Sequence, residues 1–173
     1  MITVLRLGHR RSRDARISTH CGLVARALGA ERIIYTGEYD EKLLDSVKKV
    51  ATRWGGPFEA RYEKSWKKVV NGFDGVRVHL TMYGLPFEKE IKKIDAKKDV
   101  LVIVGGEKVP GEVYHSVDFN LAVTPQPHSE IAALALFLDR LQEGRELEKK
   151  FMNAELCVKP TAQGKCVEKH QGL

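Results

Sequence analysis

Arginine is the residue type with the most pointed chemistry in this chain. Arg6, Arg10, Arg11, Arg13, Arg16 and Arg26 fall within the first 30 of 173 residues beside a single acid, Asp14, so this stretch carries +5 of a formal net charge of +6. A guanidinium presents a planar fork of donors that grips phosphate oxygens two at a time, and an arginine cluster therefore points to phosphate or nucleic acid. A basic surface without a partner is the plainer alternative. The lysines around Lys48, Lys67, Lys92 and Lys97 differ, because Asp and Glu are interleaved with them and solvated helix faces account for such a mixture.

A second set of suggestive residues lies in three stretches that each follow an apolar run: Leu80-Thr81-Met82-Tyr83-Gly84, then Gly105-Gly106-Glu107-Lys108-Val109-Pro110-Gly111, then Val123-Thr124-Pro125-Gln126-Pro127-His128-Ser129-Glu130. Adjacent glycines let a ligand approach the backbone closely, although a tight turn explains them equally well. The two prolines hold the third stretch in a fixed extended path. His128 alone reads as an ordinary hydrogen-bonded histidine; three such loops in order read as a rigid pocket. No Gly-x-Gly-x-x-Gly follows the first apolar run and no Gly-x-x-x-x-Gly-Lys-Ser/Thr occurs, which removes the standard dinucleotide and P-loop sites. Three cysteines without zinc spacing make a metal unexpected. Cys157 and Cys166 flank a turn-like stretch, and a hairpin there would set them opposite each other.

The elements that must position these residues alternate. Strands are expected at Ile2–Leu7, Arg32–Thr36, Phe58–Tyr62, Val76–Thr81, Val100–Val104 and Phe119–Val123. Between them, Ser18 or Thr19 is expected to cap a helix running to about Leu28. Asp40 caps one with Leu43, Leu44, Val47, Val50, Ala51 and Trp54 on one face, ended by Gly55-Gly56-Pro57. Trp66–Val70 and Phe87–Ile94 read as further helices. Such β-α alternation implies an α/β fold, a mainly parallel sheet covered by helices on both faces. In open sheets of this kind ligands bind beyond the carboxyl ends of the strands, where all three loops fall.

The helix beginning near Ser129 is apolar all the way round over Ile131–Leu138, which calls for burial on two sides. Packing on a second copy of the chain, a homodimer, is the expectation, and a central core helix the alternative. The length suits one domain over 1–150 with a short β-hairpin extension over 151–173. No apolar run reaches the roughly 18 residues that span a bilayer, and the N-terminus lacks signal-peptide order, so a cytoplasmic protein with no membrane partner is expected.

Arg10-Arg11-Ser12-Arg13-Asp14-Ala15-Arg16-Ile17-Ser18-Thr19-His20, Val102-Ile103-Val104-Gly105-Gly106-Glu107-Lys108-Val109-Pro110 and Thr124-Pro125-Gln126-Pro127-His128-Ser129-Glu130 resemble the archaeal tRNA (cytidine(56)-2'-O)-methyltransferase family of the SPOUT superfamily, across nearly the whole chain. The resemblance implies S-adenosyl-L-methionine as cofactor, tRNA rather than DNA as partner, a dimer, and a deep trefoil knot that no periodicity argument reveals. It also implies that the cofactor is held by Leu80, by Gly105, Gly106, Glu107, Lys108 and Val109, and by Val123, Thr124, Pro125, Gln126, Pro127, His128, Ser129 and Glu130.

Ribose-methylating SPOUT enzymes carry an Asn with an Arg six positions on, a Gly-x-Glu and a Ser-x-Asn. Here Gly105-Gly106-Glu107 fits the second motif. Arg26 stands where the first-motif arginine would be, with His20 in place of Asn, and Glu130 replaces the Asn of the third motif. Arg16 competes with Arg26 for the central role. Methyl transfer to a ribose hydroxyl needs that hydroxyl held in line and its proton removed. The resemblance ascribes that proton removal to an arginine, which requires an unusual environment because a guanidinium normally stays protonated; in the alternative, Arg16 or Arg26 clamps the adjacent phosphate while His20 or Glu107 accepts the proton. For His20 a helix-capping role competes, for Arg26 a surface or dimer contact, and for Glu107 a structural place in the pocket. Arg6, Arg10, Arg11 and Arg13 would track the tRNA backbone. A SPOUT enzyme acting on a base and a non-catalytic RNA-binding dimer are the competing readings.

Overall fold

The computed structural model describes residues 1–95, 97–106 and 108–169. Six parallel strands form one sheet, β1 (Ile2–His9), β2 (Arg32–Gly37), β3 (Glu59–Tyr62), β4 (Val76–Pro86), β5 (Val100–Gly105) and β6 (Phe119–Ala122), in the order β3-β2-β1-β5-β4-β6. The first strand made is central, paired with β2 on one side and with β5 on the other. Because both faces of a parallel sheet are covered, its strands read as near-continuous apolar runs. One face carries Val4, Val78, Val102, Val104 and Leu121; it packs on α1 (Arg11–Ala27), α2 (Glu41–Trp54) and α6 (Glu130–Gln142), with Cys21, Val47, Leu134, Phe137 and Leu138 in the shared core. Leu5, Leu7, Leu101 and Ile103 point the other way, onto Val70 of α3 (Trp66–Asn71) and Val113 of α5 (Glu112–His115).

Asp40 caps α2 as expected, and Ser129 caps the helix expected to begin near it, α6; they accept from the backbone N–H groups of Leu43 and Ile131 at 3.2 Å each. Gly55, at φ 79°, then ends α2. The first helix departs from expectation: it starts at Arg11, not after Ser18 or Thr19, so the arginine-rich stretch is itself helical. Asp14 does the capping. Its carboxylate reaches back to the Arg10 backbone N–H at 3.2 Å, a reciprocal cap arriving from one residue deeper than the usual template. Ser18 is buried in mid-helix, its hydroxyl 2.9 Å from His9 Nδ1, while His9 Nε2 lies 3.3 Å from Asp40. This Ser-His-Asp line braces β1, α1 and α2 against one another; a buried hydroxyl of this kind meets no substrate.

The expected helix over 87–94 shortens to α4 (Phe87–Glu90) and a 3₁₀ turn at Ile91–Lys93. Strand β4 runs on to Pro86, yet Leu80 and Leu85 both lie opposite Leu121, so 81–84 leave the sheet and the strand then rejoins it. Gly84 permits this: a Cβ there would sit 2.5 Å from the Asn120 carbonyl oxygen.

After a 3₁₀ turn at Arg145–Glu148 the chain forms a separate antiparallel hairpin of β7 (Leu156–Lys159) and β8 (Cys166–Lys169). Its register sets Cys157 opposite Glu168 and Cys166 opposite Lys159, so the two cysteines are offset and both are free thiols. The last residues of the expected extension, 170–173, lie outside the described residues.

Candidate active site at the carboxyl edge of the sheet

Strands β1, β5, β4 and β6 end on the same edge, and α1 begins there. Past Gly105 the chain is irregular at Gly106 and over 108–110, and past Ala122 it is irregular up to the cap of α6. Neither stretch satisfies its backbone groups in a ladder, so N–H and C=O groups are available to a ligand. Leu80 is buried and Val109 and Val123 half-buried, while Lys108, Pro125, Gln126, Pro127, His128 and Ser129 are exposed and Thr124 half-buried. His128 Nδ1 lies 2.7 Å from the Gln126 carbonyl, a contact within its own loop. Gly105 and Gly106 have no positive φ, so a left-handed turn is not the reason for them. A Cβ on Gly106 would meet nothing closer than 3.8 Å, with Arg6 Nη2 and Glu130 Oε2 as its nearest neighbours. The missing side chain leaves the backbone bare, with a charged floor at ordinary van der Waals distance from where a Cβ would stand. Glu107 lies outside the described residues.

That floor is an ion pair. Arg6 donates to Glu130 Oε1 from Nε at 3.1 Å and from Nη2 at 2.8 Å, and its remaining nitrogen donates to the Leu7 carbonyl. Its side chain is 2% exposed and that of Glu130 10%. Arg6 therefore tracks no tRNA backbone: on β1 it faces the same way as Val4, into the core, and its charge is spent on Glu130. Glu130 opens α6, where the helix dipole favours a carboxylate. Cys21 Sγ lies 4.0 Å from Glu130 Oε1, and burial, reinforced by that carboxylate, pushes the thiol pKa well up.

Helix α1 sorts the other arginines by depth. Arg10 grips Asp14, from Nε at 2.9 Å, and Arg11 donates through its side chain to the Tyr39 carbonyl and through its backbone to Glu38 at 2.8 Å. Arg13, Arg16 and His20 are exposed and, at spacings of three and four, share one helix face. Arg26 is at the far end. It is 7% exposed and donates to the Trp54 carbonyl at 2.6 Å and to that of Gly55 at 2.6 and 3.2 Å, with the Phe151 ring 4.4 Å away. Ten residues of helix separate it from Arg16 by about 15 Å along the axis, away from the loop edge. The role of first-motif arginine falls away for Arg26, which closes the carboxyl end of α2 and seats the tail; burial lowers its pKa.

The Arg10 guanidinium beside Asp14, helped by Arg6 and opposed by burial, holds the Asp14 carboxyl below the usual carboxylate range. A depressed folded-state pKa contributes stability that is present above the unfolded value and lost as pH falls through the folded one. Asp14→Asn is therefore expected to cost about 1 kcal/mol at pH 7 and progressively less in melts below about pH 4. A deficit that persists undiminished at pH 2 contradicts the assignment.

Tyr114 and Asn120 were not singled out by the sequence, and Thr81 only as one member of its loop, although all three also stand at this edge. The only signal was a polar residue facing His79 across neighbouring strands. Among the described residues no group of three or more His, Cys, Asp or Glu is placed to hold a metal, and no helix is long and apolar enough to cross a membrane.

The fold is one shared with SpoU/TrmH-type RNA-modifying enzymes. The chain is similar to the A. aeolicus TrmH/SpoU tRNA modifying enzyme at a TM-score of 0.62 and 15% identity, over 84% of this chain and 75% of that one. It is likewise similar to the SpoU methyltransferase AviRb from Streptomyces viridochromogenes, solved with AdoMet, at 0.58 and 16% identity, over 83% and 57%. At the sequence level the model of the family described as tRNA ribose 2'-O-methyltransferase, aTrm56, matches residues 54–168. The tRNA (cytidine(56)-2'-O)-methyltransferase of Pyrococcus abyssi is 55% identical over 172 residues, 96% of this chain and 87% of that protein. The Methanocaldococcus jannaschii protein of the same name is 54% identical over 172 residues, 96% of each. This chain belongs to the aTrm56 family of tRNA ribose 2'-O-methyltransferases.

Proposed function

We propose that this protein transfers a methyl group from S-adenosylmethionine to the ribose 2'-hydroxyl of cytidine 56 in tRNA, as a cytoplasmic homodimer whose fold includes the trefoil knot of SPOUT enzymes. The observation that carries the reading is the convergence, at one sheet edge, of three irregular loops with the arginine-bearing start of α1, in a chain of a ribose-methylating family.

The loops suit the cofactor. The bare backbone of Gly106, unladdered backbone at 108–110 and 123–129, and the apolar side chains of Leu80, Val109 and Val123 provide what a nucleoside with a charged amino-acid tail needs: apolar walls and a few placed polar groups. Bound there, S-adenosylmethionine supplies an electrophilic methyl on a sulfonium sulfur. The residues of this chain do the rest. Arg16 clamps the ribose-phosphate next to the target, which fixes the hydroxyl in line. His20, one turn further along the same face, takes the hydroxyl proton as the carbon–oxygen bond forms and the carbon–sulfur bond breaks; imidazole is the side chain that exchanges a proton near neutrality. Arg10, Arg11 and Arg13 contact flanking phosphates without reading bases.

The outer face of α6 supports the homodimer. Its inner residues are buried, but Ala132 is exposed and Leu136 is 48% exposed, and Tyr83 on the β4 excursion and Leu85 just after it are 78% and 60% exposed. Light scattering is expected to return twice the mass of one chain; a single-chain mass at micromolar concentration removes the dimer.

Incubation with unmodified tRNA transcript and methyl-labelled S-adenosylmethionine, followed by nuclease digestion, is expected to yield labelled 2'-O-methylcytidine. Label on a base keeps the cofactor and overturns the ribose mechanism. No label, with tRNA retained on the protein, favours a binding module.

A further inference from the structure

We propose that Thr81, Tyr114 and Asn120 are positioning residues that clamp the three cofactor loops into one preorganised unit, with buried His79 as the base of the clamp. The inference rests on the placement of S-adenosylmethionine in those loops. Thr81 opens the excursion of β4, Tyr114 sits in α5 just beyond the Gly-Gly loop, and Asn120 lies in β6 three residues before the Val123 loop. Each therefore adjoins a different loop, and a continuous chain of hydrogen bonds runs between them. Thr81 Oγ1 and the Tyr114 hydroxyl are 3.0 Å apart, Asn120 Nδ2 donates to the Tyr114 carbonyl at 2.9 Å, and Asn120 Oδ1 lies 2.9 Å from His79 Nδ1. The His79 ring meets that of Tyr114 edge-on, centroids 4.9 Å apart at 86°.

The arrangement has only one consistent proton pattern. Asn120 gives its amide N–H to Tyr114, so its oxygen faces His79, and His79 Nδ1 must carry the hydrogen. His79 is fully buried on β4, burial lowers its pKa, and its Nε2 has no hydrogen-bonding partner among the described residues. A neutral ring with a buried, unpartnered acceptor is costly to retain, and packing alone would be served better by leucine. What the ring holds in place is Asn120, and through it Tyr114 and Thr81. Gly84 adds a second tie, since the excursion returns hard against the Asn120 backbone. Three loops locked together before the ligand arrives avoid the ordering cost that separate loops would meet on binding.

The clamp is tested with Tyr114→Phe and Thr81→Val, which each delete one hydroxyl at nearly constant shape. Calorimetry with S-adenosylmethionine is expected to show about fivefold weaker binding for either. The KM for cofactor rises in step, while tRNA affinity and kcat at saturating cofactor stay unchanged. Because both variants remove one shared bond, the double variant is expected to be no weaker than the singles, and Thr81→Ser, which keeps the hydroxyl, to bind as the unaltered chain does. A melting curve separates these effects from unfolding, which would weaken tRNA binding as well. Unaltered cofactor affinity in both single variants, additive losses, or failure of Thr81→Ser to rescue overturns the clamp alone. Absence of S-adenosylmethionine binding by the unaltered protein overturns the cofactor placement and the clamp with it.

Discussion

Arg16→Ala is expected to slow methyl transfer by about a hundredfold or more at saturating substrates, with a stability change within about 0.5 kcal/mol because the side chain is exposed. Arg16→Lys keeps the charge but loses the planar fork, and should fall between the two. Arg26→Ala should do the reverse. Its guanidinium is buried against the Trp54 and Gly55 carbonyls and the Phe151 ring, so truncation leaves unsatisfied acceptors under the tail. A loss of about 2–4 kcal/mol follows, with kcat preserved in whatever remains folded. The pair of variants decides between the two arginines in one experiment: single-turnover rates against denaturant midpoints. A silent Arg16→Ala together with an inactive but fully stable Arg26→Ala would falsify the assignment.

The second large effect concerns the ion pair under the Gly-Gly loop. Breaking a buried pair from one side leaves an uncompensated charge and costs about 3–5 kcal/mol, so Arg6→Met is expected to lower stability by that order. Glu130 softens the loss slightly, since it sits at a helix start and 10% of its side chain reaches solvent. The double variant Arg6→Met with Glu130→Leu removes both charges and is expected to recover most of the deficit, which a denaturant titration of the three variants reads directly. Losses that simply add would mean that the two side chains act independently, against the 2.8 Å contact between them.

Both predictions turn on residues whose types were legible in the sequence and whose places were not. The strands, the Asp40 cap, the start of α6 near Ser129 and the three loop positions follow from short apolar runs, cap chemistry and the rule for carboxyl ends, because these signals are local. Arg6 is different. A lone arginine in Ile-Thr-Val-Leu-Arg-Leu reads as an exposed interruption until a partner 124 residues away is known. Arg16 and Arg26 could be told apart only once the helix was seen to start at Arg11, and its cap, an aspartate one residue deeper than the usual template, hid that start. The four residues of α5 are too few to show any period, so Tyr114 and its bonds were out of reach.

The central position of β1 bears on how this chain comes to be folded. Its partner on one side, β2, follows within 40 residues, but on the other side Ile2 pairs with Val100 and Leu7 with Gly105. At about 5–20 residues per second, the ribosome needs on the order of 5–20 s to deliver that second partner. Until then an apolar strand has one bare edge, the kind of template on which chains aggregate. The two halves of the sheet therefore join late, when β5 comes between β1 and β4, and the long-range pairing at its centre sets a slow folding rate. Any fragment ending before Val100 carries the arginine-bearing helix but lacks the strand that completes the surface beneath it.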